Sequence, residues 1–150
     1  MTRIAIVVPL IIGVSATACT IAIHGLAVLA NLHFVRLQHT HGRAGVAFWI
    51  DLWIIATTMM IALAAHLIDI CLWAVMFLLF GEFEAFGTAL YHSAVNYTTL
   101  GYGDIVMSPA WKILGPIEAT NGLLMFGVTT AMIFAVIRRL IWIRFPDTRA

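Results

Sequence analysis

Three long apolar segments, at about Ile4–Val35, Ala47–Phe80 and Ile113–Ile143, leave this chain few ways to fold. Each exceeds the ~20 apolar residues that a helix needs to cross a bilayer. Each therefore predicts a transmembrane helix with some tilt or protrusion into the interface. Between the second and third lies the run Thr98-Thr99-Leu100-Gly101-Tyr102-Gly103-Asp104. At membrane depth, backbone without helical hydrogen bonding is tolerated only where it is buried in protein or lines a water-filled path. A short extended stretch with two glycines can aim successive carbonyl oxygens one way, and such a row can replace the water shell of a cation. The run points to a pore rather than an enzyme.

Composition agrees. The 150 residues are 63% hydrophobic and only 10% charged, whereas soluble domains are nearer half and a quarter. A net charge of +1 gives no reason to expect nucleic acid. No nucleophile sits beside a base, and no metal-site spacing or phosphate loop is present, so no enzyme and no cofactor are expected. Cys19 and Cys71 both fall in apolar runs, which predicts buried thiols rather than a disulfide. Ala16-Thr17-Ala18-Cys19 faintly resembles a lipoprotein cleavage site, but the apolar run continues through Ile21, Leu26 and Leu29, so a retained helix is expected.

The fold class expected is an all-α membrane protein: three transmembrane helices with a re-entrant helix and loop between the second and third. Residues 1–46 are read as an extra N-terminal helix and cytoplasmic loop. Residues 47–150 are read as a pore module, with outer helix, short helix 84–97, loop 98–104 and inner helix 113–145. If the short helix dips in from outside, Arg36, Arg43, Arg138, Arg139, Arg144 and Arg149 face the cytoplasm, against Arg3 and Lys112 outside. That satisfies the positive-inside bias, with a cytoplasmic C-terminus in a plasma (inner) membrane. Arg138 and Arg139 serve as topological anchors or as a site for anionic lipid. Glu82 and Glu84 are placed at the start of the short helix, where negative charge suits the dipole.

Thr98 to Asp104 resembles the filter of tetrameric potassium channels, usually Thr-Thr-Val-Gly-Tyr-Gly-Asp. The resemblance extends over residues 50 to 145, and Trp111 and a hinge-like Gly122 fit it too. It implies a homotetramer in which potassium is held by the carbonyls of Thr99, Leu100, Gly101 and Tyr102 and by the Thr99 hydroxyl, with Gly103 completing the row. Thr98, Asp104, Tyr91 and Glu118 would support the filter. Leu100 replaces the usual Val or Ile, and Tyr91 and His92 stand where two Trp are common. That altered shell leaves a weakly selective cation channel as one alternative. A non-conducting membrane subunit or sensor is the other. No span carries the repeated Arg of a voltage sensor.

Several polar residues inside the spans remain. His66 and Asp69 share a helix face. They read either as a hydrogen-bonded brace or as a proton-sensitive gate. Glu118 is expected behind the filter, beside His66, or as a shallow, partly wet carboxylate. Gly122 and Gly127 serve close packing or a gating bend. Thr129, Thr130 and Phe134 fall where a hydrophobic constriction could gate by dewetting. His33, His39 and His41, with Asp51 nearby, are read as a solvated loop cluster.

Overall fold

A computed structural model describes residues 4–145; the topological roles expected of Arg3 and Arg149 lie outside them. Four helices follow in order: α1 (Ile4–Thr40), α2 (Phe48–Leu79), the short α3 (Phe86–Tyr97) and α4 (Leu114–Arg144). There is no strand among the described residues. The chain is an all-α integral membrane protein. α1, α2 and α4 are long and apolar enough to span, and α3, at about 18 Å, is not.

The long helices are apolar on almost every side, and their outer faces carry exposed residues such as Leu26, Leu29, Met60 and Leu63. Lipid covers such faces in a bilayer, so burial within protein is decided by other residues. Cys19 and Cys71 show this: both are exposed on helix faces, against the expectation of buried thiols. An apolar run places a thiol in the membrane without turning it toward a neighbouring helix.

What turns inward is polar. Thr20, His24, Asn31, Thr58, His66, Asp69, Ser93, Glu118 and Asn121 are all buried. Groups that cannot be satisfied by lipid pack against one another between helices. Thr20 donates to Asn121 Oδ1 at 2.9 Å, joining α1 to α4. Thr58 donates to Asn31 Oδ1 at 3.1 Å, joining α2 to α1. α2 packs against all three other helices, whereas α1 packs on α2 and α4 and not on α3.

Two apolar clusters complete the interior. One surrounds α3 and contains Trp73, Phe77, Tyr97, Leu114 and Met125. The other, at the far end, joins Ala44, Ile54, Val136 and Leu140. There Asp51 accepts from Arg144 at 3.2 Å and from the Gly45 amide at 2.8 Å. It is thus engaged with α4 rather than with the histidines near it in sequence. α1 continues to Thr40, past the expected end at Val35, so His33 and His39 lie on the helix and only His41 lies in the connection.

Candidate ion-conducting site

α3 is held between α2 and α4 and ends at the 98–104 loop. Its start differs from expectation. The helix begins at Phe86 after an extended Ala85, with no acidic residue in the first turn. Glu82 instead reaches across to Ser108, accepting from its amide and, at 2.8 Å, from its hydroxyl. Glu82 therefore ties the segment before α3 to the segment after the 98–104 loop, a use that a dipole argument does not reveal.

The end of α3 sets the loop's direction. The Thr98 hydroxyl donates to Ala94 O at 2.7 Å. The amides of Thr99, Leu100 and Gly101 fold back to the last carbonyls of the helix, on Asn96 and Val95. Beyond that turn, φ is positive at Thr99 (62°), Gly101 (59°) and Gly103 (73°), while Leu100 and Tyr102 between them stay in the ordinary negative range. A sign of φ that alternates from residue to residue is a backbone pattern able to turn successive carbonyls the same way. Glycine accepts such angles without a Cβ penalty. Thr99 is β-branched and does not, so its backbone is strained at the point where the row begins.

Side chains of α3 make hydrogen bonds to the far side of this loop. The Tyr91 hydroxyl donates to Asp104 Oδ2 at 2.8 Å, clamping the far end of the row to α3. That bond to a carboxylate holds the Tyr91 hydroxyl above its ordinary pKa. His92 Nδ1 contacts Ile105 O at 3.1 Å, and its Nε2 meets the Asn96 amide nitrogen at 2.7 Å. The two contacts are satisfied together by a neutral ring with the proton on Nδ1. Burial pushes the His92 pKa down, against the smaller opposite pull of Ile105 O, Glu82 and Asp104.

Deeper in, Ser93 bonds Glu118 and also donates to Ile70 O at 2.9 Å. Glu118 is fully buried, so it is not a shallow, wet carboxylate, and it contacts Ser93 rather than His66. The backbone of α4 approaches closely at Gly122, where a Cβ would overlap the Tyr97 carbonyl.

His66 and Asp69 do share a face, but they meet through a third residue. The Tyr97 hydroxyl donates to Asp69 Oδ2 at 2.8 Å and lies 3.1 Å from His66 Nδ1. His66 Nε2 lies 3.0 Å from Thr129 Oγ1. Thr129 is thus turned into the bundle, and of the three candidates for a constriction only Thr130 and Phe134 lie on the exposed face of α4. His24 of α1 completes the group, with Nδ1 3.0 Å from Asp69 Oδ2. Sequence reasoning passed over His24. The signal was the recurrence of Thr17, Thr20, His24 and Asn31 along one side of α1.

The loop is open on its other side. Thr98 through Asp104 are exposed apart from the half-buried surroundings that follow, with Leu100 at 54% and Tyr102 at 66%. One strand cannot surround an ion, so a conducting pore needs several copies of it. A family model described as "Ion channel" matches residues 48–139, well over half of the chain. The chain belongs to this ion channel family. The match begins at the first residue of α2 and leaves α1 outside it. Comparisons with curated proteins and with solved structures give no match. The channel family and the three spans together make this an integral membrane ion channel rather than an enzyme.

Proposed function

We propose that this ion channel is selective for potassium and works as a homotetramer, with passive conduction down the electrochemical gradient. The observation that carries the reading is the alternation of φ along Thr99-Leu100-Gly101-Tyr102-Gly103, within a sequence that resembles the potassium-channel filter. In this reading the carbonyls of Thr99, Leu100, Gly101 and Tyr102 coordinate the ion in place of water. Tyr91 and Asp104 hold the outer end of the row, and Glu118 and Ser93 support it from behind. The chain sits in a plasma membrane with its C-terminus in the cytoplasm. Arg36, Arg43, Arg138, Arg139 and Arg144 then lie on the inner side. Anionic lipid headgroups meet Arg138 and Arg139 there. Arg139 also lines an apolar groove between α1 and α4 with Arg36, Leu32 and Val136, which supports that placement.

The test is flux through liposomes containing the purified protein alone, in matched potassium and sodium gradients. Potassium flux that barium blocks, with little sodium flux, is the expected result. Equal flux of both ions points to a weakly selective channel, and no flux of either points to a non-conducting subunit. Gly101→Ala is expected to abolish flux while the protein still assembles, because alanine resists the positive φ at that position.

A further inference from the structure

We propose that His24, His66 and Asp69 form a binding site for a divalent transition-metal ion of the Zn2+ class, at the junction of the extra helix with the pore module. The three residues come from α1 and α2, and their ligand atoms all lie within 4.8 Å of one another. All three side chains are buried, at 3%, 6% and 0% exposure. Around a tetrahedral zinc ion, ligand atoms at ~2.0–2.1 Å from the metal sit about 3.3 Å apart. The His24 Nδ1 to Asp69 Oδ2 separation is already 3.0 Å. Small rotations of the two imidazoles, whose centroids are 4.7 Å apart, bring the third ligand in.

The second observation is unspent hydrogen-bonding capacity. Neither nitrogen of His24 makes a well-directed hydrogen bond, although the Thr20 carbonyl one turn away lies within its reach, and Asp69 Oδ1 has no partner. The 3.0 Å approach of His24 to Asp69 lacks the direction of a hydrogen bond. Buried polar atoms are almost always satisfied, because a bare one has given up its bonds to water for nothing in return. A metal ion would use the lone pairs that stand idle. It would also supply positive charge beside a carboxylate whose one ion-pair partner among the described residues is His24.

The donor set selects the metal class. Two imidazoles and a carboxylate suit zinc and its neighbours, whereas calcium and magnesium prefer more oxygens. Three protein ligands leave a fourth position, and the Tyr97 hydroxyl is placed beside it, between Asp69 and His66. With the metal on His66 Nδ1, the Nε2–H faces Thr129 Oγ1 at 3.0 Å, the outer hydrogen bond that orients a metal-bound histidine. The site would bind α1 to α2 and, through Tyr97, to the helix that ends two residues before Thr99. The metal thereby becomes a means by which the extra helix stiffens the support of the filter. This site does not depend on potassium selectivity.

The experiment uses the full chain in detergent with His33, His39 and His41 replaced by Gln, which removes the histidines near the α1–α2 connection. The protein is stripped with chelator and titrated with Co2+ and then Zn2+. One metal ion per chain, a visible Co2+ spectrum of tetrahedral type and a rise in thermal midpoint with Zn2+ are expected. Asp69→Asn and His24→Gln should lower metal affinity at least tenfold. His24→Cys should keep the metal and add a thiolate-to-Co2+ charge-transfer band, a readout that a purely structural role for His24 does not produce. Absence of the Co2+ spectrum in the starting protein overturns the proposal. So does a His24→Cys protein that binds Co2+ without the new band, or a metal content that His24→Gln and Asp69→Asn leave unchanged.

Discussion

Tyr97, the last residue of α3, donates its hydroxyl to Asp69 Oδ2 at 2.8 Å from inside a fully buried position. A residue of α3 thus holds the carboxylate of α2, one position before the loop begins. Tyr97→Phe keeps the ring in its cluster with Trp73 and Phe77 but strips this bond from Asp69. Bonds to charged groups are worth about 1.5–3 kcal/mol. The expected outcome is a loss of that order in stability, read as a lower thermal midpoint of the purified protein, together with reduced flux. An unchanged midpoint would show that Asp69 is satisfied by other means.

Two glycines of α4, Gly122 and Gly127, make opposite predictions. A Cβ at Gly122 would meet the Tyr97 carbonyl, while one at Gly127 would meet open space. Gly122→Ala must push α4 away from the end of α3 and should cost 1–3 kcal/mol or more, on the order of overpacking in a core. Gly127→Ala should be neutral, or stabilising by up to ~1 kcal/mol from helix propensity. Assembly and flux should be lost in the first variant and kept in the second. If flux is lost in Gly127→Ala while the protein remains folded, a gating bend at that residue explains it better than packing does.

The spans and the short helix were legible because long apolar runs and a glycine-rich break are local signals. Their inner faces were not. In a chain apolar on nearly every side, periodicity no longer separates the protein-facing side from the lipid-facing side, and the exposed Cys19 and Cys71 show the consequence. Isolated polar residues carry that information instead. Their partners, however, lie far away in sequence: His24 finds Asp69, and Thr20 finds Asn121. Tyr91 and Asp104 are grouped in the sequence only through the family resemblance, and the structure joins them by a hydrogen bond. Glu82 was misplaced because Ser108, which it holds, lies on the other side of the filter.

Tyr91 and Asp104 meet at the exposed end of the 98–104 loop, where water competes with their bond. Tyr91→Phe should therefore leave the thermal midpoint of the purified protein almost unchanged. Its effect should fall on conduction, as shorter openings or faster decay of current in single-channel recordings. Asp104→Asn, which keeps an acceptor, should be the milder change. Equal currents in wild type and Tyr91→Phe would remove this clamp from the account of the filter.

The ring of His92 gives the surroundings of the 98–104 loop a pH dependence of definite sign. Its neutral form bonds Ile105 O through Nδ1 and the Asn96 amide through Nε2. A second proton would set an N–H against the Asn96 donor. Burial lowers the pKa of His92 from its ordinary 6.5, so the unfolded chain takes up the proton more readily than the folded one. Stability from this group is complete above pH 6.5 and declines as the pH falls through the lowered folded value. Glu82 and Asp104 narrow that window by drawing the value back up. Thermal midpoint and flux should both fall on acidification below about 6.5. His92→Gln, which can keep one of the two bonds without a titrating group, should flatten this acid limb. An acid limb of the same midpoint in His92→Gln would move the origin of the effect to another residue.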